Sequence, residues 1–168
     1  MPGSVLADVE GAFTRGELVR TWPMRGTLHV VAAEDVRWLL ALTSAGNVKR
    51  SAYRRTQLEL DDATLTRSRK TLINALQGGH QLTREELFAA LLRPKIPTTG
   101  QRGYHLLWDA AVHELLCYAA PRGKDQTFAL LDEWLPKTKP KLHEEALAEL
   151  ARRYFTSRGP ATLKDFTR

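Results

Sequence analysis

Residues 82–131 read LTREELFAALLRPKIPTTGQRGYHLLWDAAVHELLCYAAPRGKDQTFALL, and this stretch decides the fold. Thr83 followed by Glu86 is a capping box, in which the hydroxyl accepts from a free backbone N–H and the carboxylate reaches back. Leu87, Phe88, Leu91 and Leu92 then share one face of a 3.6-residue period. Pro94 and Pro97 end that helix, because the residue before a proline is pushed out of helical geometry. A second helix is expected to start between Thr99 and Arg102 and to run to about Glu114. Its buried stripe is expected at Tyr104, Leu107, Ala111 and Leu115, leaving Gln101, Arg102, His105 and Trp108 nearer the opposite faces. Leu115–Ala120 and Gln126–Leu131 are runs of strand type, joined by the basic turn PRGKD.

Helix, turn, helix, β-hairpin is the core order of a winged helix. The expected fold class is therefore α+β, mostly helical, built on winged-helix units. In a helix-turn-helix the second helix enters the major groove and its N-terminal residues meet base edges. Thr98, Thr99, Gln101, Arg102 and His105 hold that position here. Arg122 and Lys124 stand at the wing tip, where phosphates attract cations whatever the sequence. The same architecture serves protein–protein interaction, and that reading stays open beside nucleic acid.

The chain has 168 residues and a formal net charge of +6, with 26% charged residues. A basic excess favours acidic partners such as nucleic acid, although a charge of this size also serves solubility alone. Cys117 is the single cysteine, which rules out an intrachain disulfide and fits a reducing compartment. Among Leu115, Leu116 and Tyr118 it reads as a small buried hydrophobe rather than a nucleophile. No secretory pattern and no apolar run of membrane-spanning length is visible, so a cytoplasmic location with no membrane partner is expected.

Upstream, SVLADVEGAF at residues 4–13 reads as a short amphipathic helix with Val5, Val9, Ala12 and Phe13 on one side. LVRTWPMRGTLHVV follows at residues 18–31 as two alternating strands around Pro23–Gly26, a further wing with Arg25 at its tip. Ala33–Leu42 is expected to be a helix, opened by Glu34 and Asp35 against the positive end of its dipole. NVKRSAYRR, at residues 47–55, reads as a basic solvated connector, with a phosphate-facing patch as the alternative. Asp61 or Asp62 caps a helix to Leu76, and Gly78-Gly79 ends it. PKTKPK at residues 136–141 is a Pro-punctuated linker. Ala146, Leu147, Leu150, Ala151, Tyr154 and Phe155 then make a helical stripe, with Arg152 and Arg153 beside it. Thr162 and Asp165 open one more helix.

VRTWPMRGTLHVV, TFALLDEWLP and EEALAELARRYFTSRGPATLKDF together resemble the bacterial winged-helix family of AlkZ-like and YcaQ-like DNA glycosylases. The resemblance covers essentially the whole chain. It implies three tandem winged helices around a concave DNA-embracing surface, and excision of alkylated bases or unhooking of crosslinks. It also implies a catalytic Gln–aliphatic–Gln or Asp motif upstream of the RGTLH-type hairpin. No position here matches that motif: Gln57-Leu58-Glu59 is the nearest string and it follows the hairpin. On this pattern the chain is a middle slice, a tandem winged-helix fragment. Residues 1–60 are the remnant of a first unit, with its wing at 18–31 and a helix at 33–42. Residues 61–135 are a complete winged helix, and 136–168 are a linker and the opening of a third unit.

Other chemistry finds little support. The acidic residues cluster at helix starts, where capping explains them. Asp132-Glu133 fits a solvated turn or an arginine partner. His29, His80, His105, His113 and His143 show no metal-ligand spacing, and no metal or cofactor is expected. Neither a phosphate loop nor a nucleophile elbow is present. His29 is the one weak catalytic candidate, although a lone histidine on a strand is more often a packed, hydrogen-bonded residue. Trp38 and Trp134 read as core, whereas Trp108 is held open for base stacking.

The expected function is duplex DNA binding, to plain or alkylated DNA. Its contacts are expected from Arg25, Lys95, Thr99, Gln101, Arg102, His105, Arg122, Lys124, Arg152 and Arg153. Base excision by the chain is the alternative reading. Pairing of apolar faces at the incomplete end units, giving a homodimer, is a third.

Overall fold

The computed structural model describes residues 5–167, so Ser4 of the expected first helix lies outside the described residues. The chain divides into two compact units, one reaching to Thr138 and the other starting at Lys139. No helix among the described residues is long and apolar enough to cross a membrane.

The first unit opens with α1 (Leu6–Thr14), none of whose residues is buried. Strands β1 (Leu18–Thr21) and β2 (His29–Ala32) pair antiparallel, with Leu18 opposite Ala32 and Thr21 opposite His29. Val19 and Thr21 point into the fold, while Leu28 and Val30 remain exposed. A 3-10 turn at Ala33–Asp35 leads into α2 (Val36–Gln57). The expected connector at residues 47–55 is thus the second half of a 22-residue helix. Its inward side carries Asn47 and the half-buried Val48 and Ser51, so the apolar period that would have revealed it is broken by polar residues.

The end of α2 also carries no glycine signal. Leu60 N–H donates to Arg55 O at 3.0 Å and Glu59 N–H to Thr56 O at 3.0 Å, with Glu59 at φ 51. This is a Schellman motif whose left-handed position holds Glu instead of Gly. Lys95 (φ 59) and Glu114 (φ 59) close the helices at Arg84–Leu92 and Arg102–Val112 with the same pair of bonds.

Helix α3 (Asp62–Leu76) starts as expected: Asp61 accepts the Thr64 N–H at 2.7 Å. It ends at Gly78-Gly79, both with positive φ, whose N–H groups donate to the Glu133 carboxylate at 3.2 and 2.5 Å. The short strand β3 (Leu82–Thr83) precedes α4 (Arg84–Leu92). The capping box is formed, with Thr83 N–H to Glu86 at 2.7 Å and Glu86 N–H to Thr83 Oγ1 at 3.3 Å. Helix α5 (Arg102–Val112), β4 (Leu116–Tyr118), β5 (Thr127–Leu130) and the short helix α6 (Leu131–Trp134) complete the unit. The three strands form one antiparallel sheet in the order β3-β5-β4. Two-residue β3 carries no alternation and was not visible in the sequence.

The orientation of α5 corrects the expected stripe. Tyr104 is 41% exposed, whereas Leu106, Leu107, Trp108 and every residue from Asp109 to Val112 are buried. A helix covered by α2, α3 and the sheet has no single apolar face, so a one-stripe reading sets its rotation wrongly. Gly103 is also buried, and a Cβ there would meet the Phe88 ring at 2.4 Å, so the start of α5 lies directly on α4.

Strand β4 separates two apolar clusters. Leu116 and Tyr118 enter the larger, with Trp22, Leu65, Leu72, Leu87, Leu91 and Phe128. Cys117 faces the smaller, with Val19, Val36, Leu40 and Leu131, and burial pushes its thiol up to about 12. Trp22 therefore packs in the same cluster as residues of α3, α4 and α5. Asp109, 3% exposed, is held by Arg69 at 2.9 Å, a buried carboxylate made tolerable by its partner.

In the second unit, α7 (His143–Arg158) is followed by α8 (Leu163–Thr167). The expected capping box is present, with Thr162 N–H donating to Asp165 at 2.8 Å and Asp165 N–H to Thr162 Oγ1 at 3.3 Å. Tyr154, Phe155 and Phe166 form a ring cluster with centroids 5.4 to 5.7 Å apart.

Candidate nucleic-acid interface

Three elements meet at the N-terminal half of α5. The first is α2, whose Asn47, Arg50, Ser51 and Arg54 fall at helical spacing on one side. The second is the turn after β1, where Arg25 is exposed and Gly26 at φ 75 approaches the Trp108 ring. The third is α5 itself. Arg54 joins the helices by donating to Gln101 Oε1 at 2.5 Å, and Trp108 Nε1 donates to Gly26 O at 3.2 Å. Between them lies an open cleft of about 240 Å³ lined by Arg25, Asn47, Arg50, Ser51, Tyr104, His105 and the edge of Trp108. Among the described residues no acidic side chain lines it.

The polar groups of this cleft have an uneven supply of partners. Tyr104 Oη accepts the Trp22 N–H at 3.1 Å, and Arg50 donates to Asn47 Oδ1 at 2.5 Å. Asn47 Nδ2 and His105 Nδ1 are buried without a hydrogen-bond partner. Burial, reinforced by Arg54, lowers the pKa of His105 below the ordinary histidine value and favours the neutral ring.

The expected contact residues differ in how far partners within the chain engage them. Arg25, Lys95, Thr99, Gln101 and Lys124 are exposed, with Gln101 also accepting from Arg54. The side chain of Arg102 is only 16% exposed and turns back on the end of α2. It donates to the carbonyls of Leu58, of Glu59 at 3.3 Å and of Pro97 at 3.3 Å, supplying donors to carbonyls that a helix end leaves free. Arg122 donates to Glu86 at 2.9 Å and to Gln81 O at 2.5 Å, fastening the β4–β5 turn to the start of α4. The Thr83 N–H and Arg122 together lower the Glu86 pKa. In the second unit Arg152 and Arg153 both pair with Glu149, at 2.8 and 2.6 Å, and hold its carboxyl down at about 2.

His29 is exposed, with Nε2 2.8 Å from Thr27 Oγ1. Trp108, held open for stacking, is 7% exposed and has its N–H taken by Gly26. Trp38 is core as expected, its N–H donating to Asp35 at 2.8 Å. Asp132 is an arginine partner, 2.8 Å from Arg37. Among the described residues no group of three or more His, Cys, Asp or Glu side chains could hold a metal ion. Asn47, Arg50 and Ser51 belong to the stretch for which a phosphate-facing patch is the alternative reading, whereas Tyr104 belongs to the stripe expected to be buried. The signal for the α2 residues is the spacing of residues 47, 50, 51 and 54, visible once the basic segment is read as a helix.

The family model for AlkZ-like DNA glycosylases matches residues 1–168. An interstrand DNA cross-link repair glycosylase of Streptomyces sahachiroi is 26% identical over 163 residues, covering 90% of this chain and 42% of the relative. The solved structure of the Streptomyces sahachiroi DNA glycosylase AlkZ superposes with a TM-score of 0.76 at 24% identity, covering 96% of this chain and 45% of that one. The structural likeness gives the fold, mostly helical α+β with small antiparallel sheets, and the chain spans less than half the length of either relative. On the match along its whole length, this chain belongs to the AlkZ-like family of DNA glycosylases.

Proposed function

We propose that this chain binds duplex DNA as a winged-helix protein of its family. The winged helix is read as α3, β3, α4, α5, β4 and β5, with the β4–β5 turn as its wing. Element order and the β3-β5-β4 sheet support that reading. The observation that carries the DNA assignment is the surface at the N-terminal half of α5, where Gln101, Tyr104 and His105 lie with Arg25, Arg50 and Arg54 and no carboxylate among the described residues lines the cleft. In a helix-turn-helix this is the part of the second helix that reads bases. Arg25, Arg50, Lys95 and Lys124 supply phosphate contacts, with Thr99 and Gln101 nearest the bases and His105 in the cleft beside Arg50. Arg102 and Arg122 act through the elements they fasten. The relative's activity on cross-linked DNA makes alkylated or cross-linked duplex the substrate class to test.

Fluorescence anisotropy on plain and alkylated duplexes, at low and moderate salt, tests the proposal. Binding that weakens steeply with salt is the expected result, because phosphate neutralisation releases counterions. Absence of binding at low salt refutes it. Base excision is a second reading, favoured by family membership, and release of alkylated base in the same tubes would establish it.

A further inference from the structure

The cleft between α2, α5 and the turn at Arg25-Gly26 carries an inference that rests on the DNA-binding reading and sharpens it. We propose that this cleft seats one phosphate group of the DNA backbone.

The cleft holds one buried amide side chain, that of Asn47. Its side chain is 2% exposed and lines the cleft, its Oδ1 accepts from Arg50 at 2.5 Å, and its Nδ2 has no partner. Buried polar atoms are nearly always hydrogen-bonded, and an orphan beside a cleft marks a place where an acceptor is missing. The groups around it offer donors. Arg25 and Arg50 bring two guanidiniums. Tyr104 Oη already accepts from Trp22, which leaves its own hydrogen to donate. His105 Nδ1, also without a partner, completes the donor set in the tautomer that carries a proton there.

Two carbonyl acceptors at the cleft are already engaged. Gly26 O takes the Trp108 N–H, and Asn47 Oδ1 takes Arg50. The Ser51 hydroxyl donates to Val48 O at 2.8 Å, so its oxygen keeps acceptor capacity toward the cleft. Donors and positive charge outweigh the acceptors left at the cleft, which favours a ligand that accepts several hydrogen bonds and carries negative charge. A base edge presents donors as well as acceptors, and those donors would find little to bind. A phosphodiester presents two anionic oxygens and no donor. At about 240 Å³ and open to solvent, the cleft is smaller than the roughly 300–1,000 Å³ of pockets that enclose whole small molecules. It suits one group on a polymer.

The chain labelled with 15N is titrated with a short duplex and, separately, with inorganic phosphate, following the Asn47 side-chain amide. In parallel, duplex affinity is measured against salt for wild type, Arg25→Gln, Arg50→Gln, Arg50→Lys and the control Lys70→Gln on α3. Duplex is expected to move the Asn47 amide. Arg50→Gln and Arg25→Gln are each expected to lower the salt slope by about one, for all sequences alike, while Lys70→Gln leaves it unchanged. Arg50→Lys is expected to keep the slope and lose part of the affinity, as a point charge replaces a two-pronged donor. Wild-type binding whose salt slope survives both glutamine substitutions, with an Asn47 amide unmoved by duplex, overturns the proposal and leaves DNA binding standing. Failure of wild type to bind duplex overturns the DNA reading itself. An Asn47 amide that then still moves with inorganic phosphate assigns the cleft to free phosphate, against the backbone.

Discussion

Arg102 donates from its guanidinium to the carbonyl oxygen of Leu58, joining the first residue of α5 to the end of α2 across 44 positions of sequence. The side chain that basic spacing places on DNA is thus occupied in holding the helix proposed to face DNA. Replacement by Ala leaves the Leu58 and Glu59 carbonyls without this donor, at a cost of about 1–3 kcal/mol. Urea denaturation of Arg102→Ala should show that loss through a lower midpoint. At temperatures where the variant stays folded, its DNA salt slope should remain near wild type.

Gly103 has to be glycine because of contact, not backbone freedom. A Cβ would sit 2.4 Å from the Phe88 ring, where nothing can yield without moving α4 or the ring. Gly103→Ala should cost about 1–3 kcal/mol, the usual range for overpacking a close-packed core. Adding Phe88→Leu should recover part of that loss, and a double-mutant cycle of thermal midpoints would measure the coupling.

Lys95 has two roles with opposite demands. Its φ of 59 is a conformation that favours glycine, while its exposed ammonium belongs to the proposed phosphate contacts. Lys95→Gly should raise stability by about 0.5–1 kcal/mol through relief at the left-handed position. The same substitution should reduce the DNA salt slope by about one. Calorimetry and anisotropy on one preparation would read both signs.

Cys117 should behave as core. Burial holds its thiol at about 12, so thiolate is scarce at neutral pH and the sulfur is closed to reagents. Iodoacetamide should leave the folded chain unmodified over hours and label it quickly in denaturant, followed by intact mass. Rapid labelling under native conditions would contradict the β4 packing.

His105 gives a pH dependence with a defined sign. Its folded pKa lies below the ordinary value of 6.5, so its contribution to stability is present above that pH. The contribution is lost as pH falls from the unfolded value towards the lowered folded one, because the unfolded chain takes up the proton first. Denaturation midpoints from pH 7.5 down to pH 5 should therefore fall, and less so in His105→Gln.

Local chemistry determined much of this protein. The box at Thr83 and Glu86, the cap at Asp61, the stop at Gly78-Gly79 and the turn around Gly123 are each written in side chains a few residues apart, and all form as read. Family membership was legible too, in strings spread along the whole chain. Tertiary structure decided what local signals do not encode. It carried α2 through Asn47 and Ser51, because a helix packed against α5 needs no unbroken apolar stripe of its own. It set the rotation of α5, because burial on three sides erases periodicity. It also sorted the arginines, turning Arg102 inward to carbonyls at the end of α2 and pairing the exposed Arg122 with Glu86, while Arg25 and Arg50 line a cleft without an acidic side chain among the described residues. Formal charge is a property of composition. Its availability depends on which acceptors the fold brings within 3 Å, and those partners lie tens of residues away in sequence.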